Sequence, residues 1–354
     1  MTRALELAHG ARFHTAPNPA VGCVIAREGN VVAEAATAPV GGLHAEARAL
    51  GVAGDAARGG TAYVTLEPCN HHGRTPPCAD ALIAVGVERV VIAVADPHPE
   101  AGGGVATLQA AGIAVDVGCC ESEARWHHRG FLSRHERGRP WVRLKLAASL
   151  DGRTAMASGE SQWITGGVAR VDVQRLRAEA DCVLTGVGTL TADDPSLNVR
   201  VGAEALGAEC ERQPLRAVVD TALRSSESAR WLSLPGDKVV YTAADQGALG
   251  AAEVCRIDTG AGGVSLAAVW ADLAARDVGF VHLECGPTLA GQALQGGWVD
   301  ELVVYIAPAL LGDAARPLAV LPGLARLGDA PRFAIRELCQ LGDDLRVVLI
   351  PSNE

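Results

Sequence analysis

The chain has 354 residues, 49% apolar and 20% charged, with 31 basic against 41 acidic side chains and a net charge of −10. A chain of this length and composition buries real cores and is expected to form two domains. The acidic balance lacks the basic footprint of a nucleic-acid binder, and no apolar run reaches the roughly 18–20 residues of a membrane helix. A small anionic ligand stays open, because a local arginine cluster is enough to hold one phosphate.

The opening MTRALELAHGARFH puts charges and a glycine where a signal peptide has its apolar segment, so a cytoplasmic address is expected. Ten cysteines, Cys119 and Cys120 among them, then read as reduced thiols or metal ligands rather than disulfides. VGCVIA (21–26) and VVAEA (31–35) flank REGN and predict a hairpin. AEARALGVAGDAA (45–57) predicts a helix, TAYVTL (61–66) a strand, and PCADALIAVG (77–86) a helix closed by its glycine. VVIAVA (90–95) predicts a strand buried on both faces. A helix near 105–111, a strand near 113–117 and a helix near 120–135 complete an α/β layered domain.

RHERGRP (134–140) reads as a linker, which puts a boundary near 139 and gives domains 1–139 and 140–354. WVRLKLAAS (141–149) opens a second α/β pattern. Its helices are expected over 167–180 and 265–277, and in the second of these Leu266, Val269, Trp270 and Leu273 share one face. Its strands are DCVLTG (181–186), LRAVVD (215–220), KVVYT (238–242), FVHLEC (280–285) and ELVVYIA (301–307). Residues 202–213 read as a surface loop, and FAIRELCQLGDDLRVVLI as a closing hairpin.

In the first domain His44 stands before the helix at 45, with Glu46 two positions on, in LHAEARAL. Cys69 follows a strand behind Pro68, and Cys78 begins a helix after Pro76 and Pro77. A catalytic zinc takes three protein ligands and leaves one position for water. His44, Cys69 and Cys78 meet that count, and a cysteine at a helix start favours its thiolate. Glu46 is then placed to move the proton of the activated water. H-x-E followed by P-C and a second cysteine is the pattern of zinc nucleobase deaminases. Here the cysteines are separated by NHHGRTPP rather than two residues, which leaves His71 or His72 open as a ligand. Taken singly, the cysteines would be ordinary buried thiols and Glu46 a solvated helix residue; their order on these elements argues for a site.

The second domain has no G-x-G-x-x-G after a strand, so the common dinucleotide fingerprint is absent. Two strand-to-glycine turns remain, DCVLTGVGTLTADDP (181–195) and VHLECGPTLAG (281–291). Glycine lets the backbone approach a ligand, and a helix N-terminus offers free N–H groups to phosphate. Many such turns are plain connections. Lys145 reads equally as a ligand contact or as an edge lysine carrying its charge to water. His282 lies inside an apolar strand and reads as a core residue.

PNPAVGCVI, LHAEARAL, YVTLEPCNHHGRTPPCADALIAVGV and DPHP resemble the deaminase half of the bifunctional riboflavin-biosynthesis deaminase–reductases. RPWVRLKLAASLDGRTAMASGESQWIT, TLTADDPSLNVR, ECGPTLAG and DELVVYIAPALLG resemble the reductase half, in the expected order. The resemblance implies a cytidine-deaminase-like three-layer α/β/α domain followed by a dihydrofolate-reductase-like α/β domain. It also implies Zn2+ and NADPH as cofactors and a phosphorylated pyrimidine as substrate. A diaminopyrimidinone ribosyl phosphate would lose an amino group, and its ribosyl chain would then be reduced to ribityl. His44, Cys69 and Cys78 would hold the zinc, Glu46 would shuttle protons, and Asn18 would hold the pyrimidine. Ala147, Trp163, Thr189, Asp193 and the run Gly286, Pro287, Thr288, Leu289, Ala290, Gly291, Gln292 would contact NADPH. Ser161, Arg177, Leu197, Arg200 and Glu284 would contact substrate, with the two arginines clamping its phosphate. A homo-oligomer is expected, with no nucleic-acid or membrane partner.

The chain departs from the family in three places. It reads AEAAT (33–37) where a glycine-rich turn ending in histidine is usual, Leu43 where proline precedes H-A-E, and AGGG after DPHP, without the usual basic residue. These changes leave the metal set intact. They leave open a working reductase joined to an impaired deaminase; beside it, on other grounds, stand a generic nucleobase deaminase with an accessory domain and a purely structural zinc module, which would need a fourth protein ligand.

Overall fold

The structure is a computed structural model and describes residues 1–72, 76–207, 210, 212–260 and 263–352. The chain divides into two units, Met1–Gly138 with Leu206–Arg212, and Arg139–Ala205 with Gln213–Glu354.

In chain order the first unit contains α1 (Thr2–Ala11), β1 (Gly22–Arg27), β2 (Asn30–Ala36), α2 (Ala45–Ala53) and β3 (Thr61–Val64). It continues with α3 (Cys78–Val85), β4 (Arg89–Ile92), α4 (Gly104–Ala110), β5 (Ala114–Val117), α5 (Glu121–His127) and α6 (Arg129–Arg137). Its sheet runs β2-β1-β3-β4-β5. β1 is antiparallel to β2 and β3, and β3, β4 and β5 are parallel. α2, α3 and α4 pack on one another in one layer, and α1 packs against β1, β2 and α5 in another. β4 lies inside the sheet with Val90, Val91 and Ile92 all buried, as its unbroken apolar run predicts. Gly86 ends α3 in the left-handed conformation, with its N–H returning to Leu82 and Ile83 carbonyls.

Three expectations change here. α1 was not foreseen. It buries Ala4, Ala8 and Ala11, residues too small to stand out as an apolar stripe. The helix near 120–135 is two helices that meet at His128. Most of the expected linker belongs to α6, which runs to Arg137 and ends at Gly138 in the left-handed conformation. α6 buries only Leu132 and Ser133, so its sequence is polar enough to read as linker.

The second unit contains β6 (Trp141–Ser149), β7 (Arg153–Ala155), α7 (Gly167–Glu179), β8 (Cys182–Gly186), α8 (Val187–Asp193) and α9 (Ala203–Leu206). β9 (Leu215–Val219), α10 (Arg230–Ser233), β10 (Lys238–Thr242), β11 (Glu253–Arg256), β12 (Thr259–Gly260), β13 (Gly263–Val264) and α11 (Leu266–Ala275) follow. β14 (Phe280–Glu284), α12 (Pro287–Gln295), β15 (Glu301–Ala307), β16 (Arg316–Pro317), β17 (Phe333–Leu341) and β18 (Asp344–Pro351) close it. The loop expected over 202–213 begins as the helical turn α9, and its residues 208, 209 and 211 lie outside those described.

The main sheet runs β11-β10-β9-β8-β14-β6-β15-β18-β17. Its first seven strands are parallel, and β18 and β17 add an antiparallel hairpin. All carboxyl ends of the parallel strands therefore open on one edge, where ligands bind in open α/β sheets. α11 buries Leu266, Val269, Trp270 and Leu273, the face its spacing predicts. Charged residues from β6, α7 and β15 meet: Arg143 bonds Glu179 and Glu301 at 2.8 and 2.9 Å. Buried charges persist only when paired in this way.

Candidate functional site

In the first unit the end of the loop before α2 and the start of α3 bring three donors together. His44 is the N-cap of α2, with extended backbone angles, so its ring points away from the helix. Cys78 is the first residue of α3, and its N–H donates to Cys69 Sγ at 3.4 Å. Cys69 Sγ and Cys78 Sγ lie 3.5 and 3.4 Å from His44 Nδ1. A tetrahedral zinc bonded to sulfur at about 2.3 Å and to nitrogen at about 2.0 Å separates such donors by about 3.6 Å. The three donors thus already stand at the spacing the ion requires. Among the described residues no other group of three such donors forms, and neither His71 nor His72 joins this one. Residues 73–75 of the insert lie outside the described residues.

Glu46 lies in the first turn of α2, 3% exposed. Burial raises its pKa to about 7, against the lowering influence of its own backbone hydrogen bond and of His44. Between the cysteines, Cys69 is the one drawn toward thiolate, by hydrogen bonds from Cys78 and then His44. The carboxyl is therefore poised to take and return a proton beside a group of metal donors. Asn18 stands in the exposed turn before β1, with its N–H bonded to Thr15 O at 3.0 Å.

The departures have structural counterparts. Thr37, where the family has histidine, is buried, and its Oγ1 accepts from Val21 N at 3.0 Å. Leu43 O accepts from Ala38 N and closes that loop. In the AGGG segment, Gly103 N and Val105 N donate to Glu67 Oε1 at 3.1 and 2.9 Å, and Asp96 N donates to Glu67 Oε2 at 3.0 Å. A buried glutamate next to Pro68 thus holds the loop after DPHP.

In the second unit a cavity of about 660 Å³ opens at the carboxyl ends of the parallel strands. Of the residues expected at NADPH, Ala147, Thr189, Asp193, Gly286, Pro287, Thr288, Leu289 and Gln292 line it. Ala290 and Gly291 face away, both buried; a Cβ on Gly291 would lie 1.8 Å from Val320 O, so glycine is what lets that loop seat on α12. Trp163 is 69% exposed, outside the lining, with the Arg170 guanidinium 4.5 Å from its ring centroid. The cavity fits a dinucleotide in two respects. The N-terminus of α12 faces it behind Gly286, and a Cβ on the lining Gly188 would meet nothing within 4 Å, so that space is left for a ligand.

Of the residues expected at substrate, Ser161 and Glu284 line the cavity, and Ser161 Oγ donates to Asp193 Oδ1 at 3.4 Å. Arg177 lies outside the lining, with its fork closed on Glu284 at 2.5 and 2.9 Å and on Asn198 O at 3.1 Å. As one arm of a phosphate clamp Arg177 is therefore already occupied by a carboxylate. Arg200 is exposed, and its guanidinium partners, Ser196 and Asn198, are neutral. Leu197 is buried with φ +54°, and neither it nor Arg200 is among the residues that line the cavity.

Lys145, paired in register with Glu284, lines the cavity, and burial lowers its pKa. His282 is fully buried, with Nε2 3.1 Å from Glu284 Oε1. Burial opposes the charge on Glu284, but Arg177 and His282 outweigh it and hold the carboxyl well below its ordinary range. Thr154, Thr221, Arg224 and Arg316 also line the cavity and were missed in the sequence, where none of them falls in a glycine turn.

The matches to known proteins cover both units. Residues 1–94 match the cytidine and deoxycytidylate deaminase zinc-binding region, and residues 140–347 match the RibD C-terminal domain. The riboflavin biosynthesis protein RibD of Escherichia coli is 48% identical over 360 residues, covering 99% of this chain and 98% of its own. That of Haemophilus influenzae is 43% identical, covering 100% of this chain and 97% of its own. Among solved structures, Acinetobacter baumannii RibD superposes with a TM-score of 0.91 at 41% identity, over 99% of this chain and 98% of its own. The Thermotoga maritima diaminohydroxyphosphoribosylaminopyrimidine deaminase/5-amino-6-(5-phosphoribosylamino)uracil reductase gives 0.87 at 31%, over 99% and 97%.

Proposed function

This chain belongs to the RibD family of riboflavin biosynthesis proteins, and from that membership we propose how its residues divide two reactions. It is a bifunctional enzyme, a zinc-dependent deaminase joined to an NADPH-dependent reductase. We assign the deaminase to residues 1–139 and the reductase to 140–354. The first substrate is 2,5-diamino-6-ribosylamino-4(3H)-pyrimidinone 5′-phosphate. Water replaces one amino group, which leaves as ammonia. The ribosyl side chain of that product then accepts a hydride and a proton and becomes ribityl, as NADPH is oxidised to NADP+.

In the deaminase His44, Cys69 and Cys78 hold the zinc. The ion supplies positive charge that makes water a nucleophile near neutral pH. Glu46 takes the proton of the attacking water on its carboxylate and returns it to the departing nitrogen. Its burial eases the uptake of that proton by disfavouring the charged carboxylate. Asn18 orients the pyrimidine from the turn before β1.

In the reductase NADPH supplies the hydride, and the protein supplies position and a dry wall. Ala147, Thr189, Asp193 and the Gly286–Gln292 turn hold the cofactor, with Trp163 at the rim. Ser161, Glu284 and the main chain of Leu197 orient the substrate. Arg200 meets the substrate phosphate, while Arg177 holds Glu284 in place. The chain acts on small molecules and needs no nucleic-acid partner. Among the described residues no helix is long and apolar enough to cross a membrane, and we place the enzyme in the cytoplasm. Assembly with further copies of itself is supported by β17, an edge strand with Ile335 and Leu338 exposed, since an open edge offers unpaired backbone groups.

The observation that carries the reading is the approach of two cysteine sulfurs to one histidine nitrogen, with Glu46 buried two residues on. The test gives purified chain the diaminopyrimidinone ribosyl phosphate with and without NADPH, and follows ammonia and NADPH separately. Ammonia is expected in both cases and NADPH oxidation only after deamination. Ammonia that appears only when NADPH is present would contradict two independent sites.

A further inference from the structure

A buried histidine stands directly behind the wall of the reductase cavity. Along β14 the side chains alternate between two faces. Val281 and Leu283 join the apolar core on one face, so His282 and Glu284 turn to the other, where α7 packs. Glu284 lines the cavity and His282 does not. The His282 ring is fully buried, with Nε2 3.1 Å from Glu284 Oε1. Neither ring nitrogen has another partner among the described residues.

The neighbouring charges are committed elsewhere. Arg143, in register with His282 on β6, bonds Glu301, Glu179 and Leu176 O. Arg177 on α7 is closed on Glu284 and Asn198 O. Glu284 is thus the polar group left for His282 to meet. Burial holds the ring below its ordinary pKa, against the opposing pull of Glu284, so the ring is neutral and carries one N–H. Placed on Nε2, that hydrogen meets a carboxylate. Placed on Nδ1, it would leave a ring lone pair against a carboxylate lone pair. A leucine would fill this apolar strand with no polar group to satisfy, so packing alone does not account for the histidine.

The consequence falls on Glu284. Each carboxylate oxygen has two acceptor sites. Oε1 faces Arg177 Nε at 2.5 Å and His282 Nε2 at 3.1 Å, which fills it. Oε2 meets Arg177 Nη2 at 2.9 Å and, among the described residues, keeps its second site open. A carboxylate accepts and does not donate, so what it meets in the substrate is a donor and not the phosphate.

We infer that His282 is a positioning residue of the reductase: it holds Oε1 of Glu284 from behind, and leaves Oε2 as the oxygen that accepts from a hydroxyl of the substrate's sugar chain. The inference rests on the assignment of Glu284 to the reductase substrate.

The test follows reduction of the deaminated compound by the full chain and by His282→Leu, His282→Gln and Glu284→Gln. His282→Leu frees the carboxylate to turn, and KM for the deaminated compound is expected to rise roughly 10-fold. Its kcat should change less than about 3-fold, and NADPH binding should stay within about 2-fold. His282→Gln keeps an N–H donor at similar reach and should return KM to within about 3-fold of the natural chain. In the natural chain, nitrogen-15 resonances of labelled histidine should show His282 as the neutral ring with its hydrogen on Nε2, a result that does not depend on any variant folding. The hydrogen on Nδ1 would overturn the inference. So would a lower kcat at unchanged KM in His282→Leu, which is what simple loss of folded enzyme gives, or no recovery in His282→Gln. Each of these leaves Glu284 in its role as long as Glu284→Gln reduces poorly. Full reduction by Glu284→Gln would remove both the inference and the assignment beneath it.

Discussion

Glu284 at the end of β14 and Arg177 on α7 form a two-pronged ion pair, Nε to Oε1 at 2.5 Å and Nη2 to Oε2 at 2.9 Å, with side-chain exposures of 15% and 8%. The pair keeps Glu284 ionised and aimed at the cavity. Removing one partner strands a buried charge, whereas removing both does not. Arg177→Met should therefore cost about 3–5 kcal/mol of stability in the reductase unit. Arg177→Met with Glu284→Gln should recover most of that while still failing to reduce substrate. Urea unfolding of the single and double variants measures the difference; equal losses would mean that the pair is not coupled.

Glu46→Gln should lower ammonia release by about 10²- to 10⁴-fold, the range of a lost general acid–base group. Zinc content and reduction of the already deaminated compound should stay as they are, because Glu46 is absent from the donor group. Loss of zinc in this variant would make Glu46 a ligand instead.

Much of this site was legible because its chemistry is compressed into short motifs. His44 with Glu46, and Cys69 and Cys78 behind prolines, stand at element starts that the sequence marks clearly. The hairpin 22–36 follows from two apolar runs flanking a turn, and the apolar face of α11 from periodicity alone. α1 and α6 were harder for opposite reasons. One buries only alanines, and the other is so polar that it resembles a linker. The ion pair that occupies Arg177 joins residues 107 apart, and nothing local in the sequence marks it. Arg224 is an exposed arginine after a strand, which gives no signal until the sheet places it at the cavity.

Gly188 leaves open space in the cavity where any side chain would stand. Gly188→Val should weaken NADPH binding by at least about 10-fold through steric overlap, with a stability change under about 1 kcal/mol, since valine and glycine differ little in helix propensity. Cofactor titration beside thermal melting separates the two effects. Unchanged binding would place the cofactor elsewhere.

His127 in α5 donates Nε2–H to Ala20 O at 2.7 Å, and burial holds its pKa down to about 4. Unfolded, it titrates near 6.5. Between those values the unfolded chain binds the additional proton, so stability contributed by neutral His127 is full above about pH 6.5, falls as pH drops toward 4, and levels off below. The total is ~3 kcal/mol at most. His128, also pushed well below its ordinary range by burial, adds to the same slope. Urea midpoints of the first unit between pH 7 and 4.5 should fall less steeply in His127→Gln, which keeps an N–H donor. An unchanged slope would show that His127 does not contribute.

The donor group of His44, Cys69 and Cys78 bears the weight of the deaminase half, and metal content tests it most directly. Chain isolated without chelators should carry one zinc per polypeptide, and Cys78→Ala should lose both the zinc and ammonia release while still reducing the deaminated compound. Ammonia release at full rate from a chain holding no stoichiometric zinc would contradict the account.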